Sequence, residues 1–158
     1  MIFTSIDFDR PGKQQGYLQV PHSYNLAGSA NLMIPVTVIN HASGPSVLVM
    51  AGNHGDEYPG QIAIMKLARD LEPSAVQGKI VLIPCLNMPA AKASTQLSPL
   101  DGKNLNRSFP GNPEGTVTEM IADFLTRRLF PIAEVVIDIQ RSANTGCYEP
   151  IPCWFGMR

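Results

Sequence analysis

The sequence predicts an α/β domain with a mostly parallel sheet flanked by helices. Three observations carry that reading. The run SVLVMAG after the Gly44-Pro45 break is almost wholly apolar, as a strand buried on both faces must be. An amphipathic stretch, QIAIMKLARDL, follows it, and then a second apolar run, KIVLIPCL, so that strand, helix and strand are complete within a short span.

Each element has its own signal. LMIPVTVINH, from Leu32 to His41, is rich in β-branched residues and reads as a strand ahead of the apolar one. The helix from Gln61 to Leu71 is expected to turn Ile62 and Met65 inward, joined by Ile64, Ala68 and Leu71, with Lys66, Arg69 and Asp70 facing water. Pro84 removes one ladder donor from the strand that begins at Lys79. Residues 87–114 turn to Pro, Ser, Asn and Gly without periodicity, and a long irregular stretch of this kind is often functional. TVTEMIADFLTRRLF then predicts a second helix, with Met120, Phe124 and Leu125 inward and Pro131 as its stop. EVVIDIQ is the last clear strand, and the segment after it has turn residues but no recognisable closing element.

The chain has 158 residues, with 12 Lys and Arg against 13 Asp and Glu and a 44% hydrophobic fraction. That balance fits one ordinary core and excludes both a disordered tail and a basic nucleic-acid surface. No apolar run reaches the roughly 20 residues needed to span a bilayer, and the first residues lack a signal-peptide pattern, so a cytoplasmic protein without a membrane partner is expected. Cys85, Cys147 and Cys153 form no C-x-x-C pair, and reduced thiols are expected. We divide the single domain into N-terminal strands (1–45), a strand-helix-strand core with the polar motifs (46–140) and a divergent tail (141–158).

Two motifs carry chemistry. In GNHGDEYPG, His54 and Glu57 directly follow the buried strand, where a tight turn brings an imidazole and a carboxylate to one point that can hold a metal ion. The alternative is a solvated loop histidine and a glutamate that caps the next helix. In DGKNLNRSFPG, Arg107 offers a planar guanidinium fork and Asn106 a carboxamide, a pair suited to the carboxylate of an amino-acid-like ligand. The alternative is a turn whose asparagines bond the local backbone and whose arginine is a surface charge.

GNHGDEYPG, DGKNLNRSFPG followed by GTVTEMIADF, and EVVIDIQ stand in the order and approximate spacing of the succinylglutamate desuccinylase/aspartoacylase family, which the chain resembles from about Gly16 to Asp138. Within that family, Val20-Pro21-His22-Ser23 resembles a segment of the N-α-acetyl-L-2,4-diaminobutyrate deacetylases of ectoine breakdown. The resemblance implies a carboxypeptidase-like fold and a zinc-dependent hydrolase that cleaves the amide of an N-acyl amino acid. It implies His54 and Glu57 as zinc ligands and Asn106 with Arg107 as the substrate-carboxylate site.

The pattern breaks at two places. Where the family has its third zinc ligand, a histidine in D-[LI]-H-S-G-G, this chain has Gln140, followed by Arg141. A carboxamide oxygen suits zinc poorly and an adjacent cation opposes it, so weak or absent zinc binding is expected. His41, at a strand end, and His22 are the other histidines. Family members are also about twice as long, and their general-base glutamate has no counterpart here; Glu119 reads as an exposed helix residue and Glu149 as part of a loop. The chain is therefore expected to be an incomplete, truncated catalytic domain that is inactive alone. A non-catalytic amino-acid-binding relative and a gene remnant are the alternatives.

Overall fold

The structure, a computed structural model, describes residues 1–141 and the backbone of 150–155. Seven strands form one sheet in the order β1-β2-β3-β5-β4-β6-β7. They are β1 (Phe3–Thr4), β2 (Gly12–Pro21), β3 (Asn31–His41), β4 (Ser46–Ala51), β5 (Gly78–Ile83), β6 (Val135–Arg141) and β7 (Pro150–Phe155). The helices are α1 (Tyr58–Asp70), α2 (Met88–Ala93) and α3 (Val117–Phe124), the last continued by a π-turn over Leu125–Leu129.

The α/β class holds, with a correction to the sheet, which is mixed. β4 pairs in parallel with β5 and β6, and the other four pairings are antiparallel. The physical reason lies in the connections: helical segments link β4, β5 and β6, whereas β2 and β3 are joined by a short loop that permits only a hairpin. β7 lies along the outer edge of β6, so the tail contributes a closing strand where none was expected. Residues 142–149, with Cys147 and Glu149, lie outside the described residues.

One sheet face carries the larger core. Leu18, Ile34, Leu48 and Ile83 pack there against Leu105, Ile121 and Leu125. The opposite face holds a smaller cluster, in which Ala51 and Leu82 meet Ile64 and Ala68 of α1. The expected inward face of α1 is wrong by part of a turn: Ile62 and Met65 are half exposed, and Gly60, Gln61, Ile64 and Ala68 are buried. Gly60 explains the phase. A Cβ there would stand 2.9 Å from Ile139 Cγ2, so the helix approaches the sheet along the Gly60–Ile64–Ala68 side and not along Ile62 and Met65.

α2 lies inside the stretch expected to be irregular, capped by the Asn87 side chain, which accepts from the Ala90 N–H. At α3, the Glu119 carboxylate accepts from the Thr116 N–H at 2.8 Å and pairs with Lys103. Glu119 therefore caps its own helix and is part-buried, where the sequence reads it as an exposed helix residue. Among the described residues no helix is long and apolar enough to cross a membrane.

Candidate functional site

The turn after β4 is held from several sides. Leu86 and Asn87 donate their backbone N–H groups to the carbonyls of Ala51 and Gly52, and Gly55 N–H donates to Thr95 O. The Gln61 side chain donates to Gly55 O at 3.0 Å. Gly52 adopts φ +69°, a conformation glycine takes without strain. Gly55 is required by space, since a Cβ there would overlap the Ala90 carbonyl carbon at 2.0 Å.

This turn brings His54 and Glu57 together. His54 Nδ1 lies 3.0 Å from Glu57 Oε1, and both residues are buried, at 8% and 7% exposure. The solvated-loop alternative fails on that burial. Glu57 does occupy the N-cap position of α1, but its side chain makes no cap hydrogen bond. Its second oxygen accepts from Arg141 N–H at 2.9 Å, which ties the turn to the end of β6.

The DGKNLNRSFPG segment comes up against the same point. Leu105–Arg107 form one 3(10) turn anchored by buried Leu105 and capped by Asn104, whose Oδ1 accepts from Asn106 N–H. Asn104 Oδ1 also stands 3.3 Å from His54 Nε2, and Asn106 Nδ2 stands 3.4 Å from it. When His54 donates through Nδ1 to Glu57, its Nε2 is an acceptor and Asn106 is the matching donor. The Asn106 side chain thus serves the site and not the local backbone. Arg107 is exposed on that turn, and among the described residues its side chain has no hydrogen bond or ion pair.

Gln140 closes the cluster from β6. It pairs reciprocally with Asn106, accepting from Nδ2 at 3.2 Å and donating to Oδ1 at 3.3 Å, and it donates also to Asp138 Oδ2. Asn53 Nδ2 donates to Asn106 Oδ1 at 2.6 Å and to Asp138 Oδ2 at 3.1 Å. Asp138 is 5% exposed. Burial pushes its carboxyl above the ordinary carboxylate range, only partly opposed by hydrogen bonds from Gln140 and Asn53.

All the expected site residues but the exposed Arg107 are therefore linked directly in one hydrogen-bonded cluster, and Arg107 is the neighbour of Asn106. Asn53 and Asn104 are not singled out in the sequence as site residues, and Asp138 is read there only as the start of the polar run Asp138–Arg141 at a strand end. Asn53 had a signal in standing next to His54 at a strand end, and Asp138 in being a lone carboxylate within an apolar strand. His41 is excluded from the cluster by topology: it pairs with Gly78 at the start of β5, the opposite end of the sheet.

The donor set answers the zinc question in part. Two donors 3.0 Å apart can both lie about 2.0–2.1 Å from one zinc ion, so His54 and Glu57 fit. Gln140 does not complete a centre, because its oxygen and nitrogen are both engaged by protein partners. Among the described residues no group of three or more His, Cys, Asp or Glu side chains converges as a metal site. The described residues by themselves supply two zinc ligands, His54 and Glu57, and no third.

A mixed sheet with its polar cluster beyond the carboxyl ends of the central parallel strands has the arrangement of an α/β ligand-binding domain. The model of the succinylglutamate desuccinylase/aspartoacylase catalytic domain matches residues 43–151, and the chain belongs to that family. It is 46% identical over 144 residues to the N-alpha-acetyl-L-2,4-diaminobutyric acid deacetylase of Halomonas elongata, covering 91% of this chain and 42% of that protein. Among solved structures, a succinylglutamate desuccinylase/aspartoacylase from Rhodobacter sphaeroides matches with TM-score 0.87 and 48% identity, over 89% of this chain and 44% of the other. The product-bound ectoine utilization protein EutE (DoeB) from Ruegeria pomeroyi matches with TM-score 0.87 and 44% identity, over 89% and 43%. The chain thus spans less than half the length of these relatives.

Proposed function

We propose that this chain is the ligand-recognition portion of an N-acyl-amino-acid hydrolase, which seats the amino-acid carboxylate on Arg107 and Asn106 and does not by itself hydrolyse the amide. The observation that carries the reading is the Asn106–Gln140 pair. It supports a ligand seat beside Arg107, and Gln140 stands at the position that the resemblance implies for a third zinc ligand.

Arg107 supplies the charge for this binding. An exposed guanidinium with no hydrogen bond or ion pair among the described residues can form a bidentate pair with a carboxylate. Asn106 adds a neutral donor beside it. His54, held by Glu57, presents a ring nitrogen toward the same side. The relatives' names suggest the ligand class: the finer reading is N-alpha-acetyl-L-2,4-diaminobutyric acid, a substrate of ectoine breakdown.

Zinc would supply a polarised carbonyl and an activated water when bound in a complete site. His54 and Glu57 would contribute two ligands to it. Gln140 is a poor third, and none of the described residues matches the family's general base. The test is to incubate the purified chain with N-alpha-acetyl-L-2,4-diaminobutyric acid, with and without added Zn²⁺. The reading expects a raised melting temperature and no release of acetate. Acetate release dependent on this polypeptide overturns the non-hydrolytic part, and the absence of any thermal shift overturns the binding part.

A further inference from the structure

Four side chains in the cluster form a closed ring, running from Asp138 to Asn53, Asn106, Gln140 and back to Asp138. Three of them are carboxamides, each of which can present either oxygen or NH₂ to a given neighbour. The fourth, Asp138, has oxygens that accept hydrogen bonds. Its Oδ2 therefore requires an NH₂ group from Asn53 and another from Gln140.

The consequence passes around the ring in two directions. Once Asn53 turns its NH₂ toward Asp138, the same NH₂ lies 2.6 Å from Asn106, which must answer with Oδ1. Once Gln140 turns its NH₂ toward Asp138, its Oε1 faces Asn106 Nδ2 at 3.2 Å. Both routes demand the same orientation of Asn106, with its NH₂ toward Gln140 and His54 Nε2. Asn53 is 1% exposed, and its own Oδ1 is buried without a hydrogen-bond partner, so neither solvent nor another described side chain holds it in place by that atom. Among the described residues, the Asn53 side chain is held through its NH₂ alone.

We infer that Asn53 is a positioning residue that carries the acceptor polarity of Asp138 to Asn106 and so fixes which face of the Asn106 carboxamide is offered to a ligand. Its effect on the ligand rests on the Asn106–Arg107 reading proposed above; its effect on Asn106 does not. Asn53 touches no ligand itself and acts through the neighbouring amide. Loss of the NH₂ leaves Asn106 without its shortest bond, and replacement of Asn53 by a group that only accepts reverses the demand made on it.

The experiment is side-chain amide NMR on the full 158-residue chain, wild type against Asn53→Asp and Asn53→Ala. In the wild type, the Asn106 NH₂ protons are expected to show cross-peaks to the His54 ring and the Gln140 side chain. In Asn53→Asp the Asn106 amide should invert, placing its NH₂ toward the new carboxylate, and the cross-peaks to His54 should vanish. A purely structural role would not produce that inversion. Asn53→Ala should lose the defined Asn106 signals, and N-alpha-acetyl-L-2,4-diaminobutyric acid, where the wild type binds it, should bind at least tenfold more weakly to both variants. Retention of the Asn106–His54 cross-peaks in a folded Asn53→Asp overturns the inference even if Asn53→Ala fails to fold. A wild type that shows those cross-peaks and binds no ligand defeats the ligand-recognition reading and leaves the amide readout to decide the role of Asn53.

Discussion

The side chains of Asn106 and Gln140 face each other as a reciprocal amide pair, with N···O separations of 3.2 and 3.3 Å, 34 residues apart in sequence. Two amides in this arrangement satisfy one another without any ion between them. Gln140 is thereby part of the protein's own hydrogen-bond network.

Gln140→His removes that pair and adds an imidazole beside His54 and Glu57. Zinc affinity is expected to rise by at least about tenfold, which is ~1.4 kcal/mol. Competition against a chromophoric chelator measures it. An unchanged affinity would mean that an imidazole at position 140 does not reach an ion held by His54 and Glu57.

Arg107→Ala removes an exposed group, so folding stability should change by no more than about 0.5 kcal/mol. Carboxylate binding should nevertheless weaken by about tenfold or more, the scale of a lost charge-assisted contact. Thermal unfolding and ligand titration of the same variant separate the two effects.

Gly55→Ala forces a methyl group into the Ala90–Ala91 backbone, where the nearest atom is 2.0 Å away. Either α2 or the His54 turn must move, at a cost of about 1–3 kcal/mol. Denaturant unfolding should show that loss, and the His54 ring signals should shift by NMR.

Asp101 gives a pH signature. Burial pushes its carboxyl upward, but hydrogen bonds from Thr118 N–H, Thr118 Oγ1 and Lys103 N–H outweigh it and hold the carboxyl below its ordinary value of 3.8. A carboxylate with a depressed folded value contributes stability above the unfolded value and loses it as pH falls through the folded one. Asp101→Asn should therefore cost up to about 1 kcal/mol at pH 7, the scale of a helix-capping contact. Unfolding curves of wild type and variant should converge as pH is lowered below 3.8.

The strands that carry the site were legible because burial on both faces leaves continuous apolar runs such as SVLVMA and KIVLI. β2 was harder to place, since Lys13, Gln14 and Gln15 occupy a strand that lies toward the edge of the sheet and needs no such run. The face of α1 was read partly wrongly, with Ile64 and Ala68 inward as found but Ile62 and Met65 outward, because Gly60 and Gln61 have no apolar weight and yet lie on the buried side with them. α2 was hidden by Pro89 and its Asn87 cap within a stretch rich in loop residues. In the site, His54 and Glu57 were readable from a local turn. Asp138 was readable only as part of a polar run at a strand end, and Asn53 was not, because their bond spans 85 positions of sequence and only strand pairing creates it.

The most direct measurement is calorimetric titration of the chelator-treated 158-residue chain with N-alpha-acetyl-L-2,4-diaminobutyric acid. The account predicts one ligand per chain without metal, with affinity lost in Arg107→Ala. Binding that appears only after Zn²⁺ is added, or that is indifferent to Arg107, would contradict it.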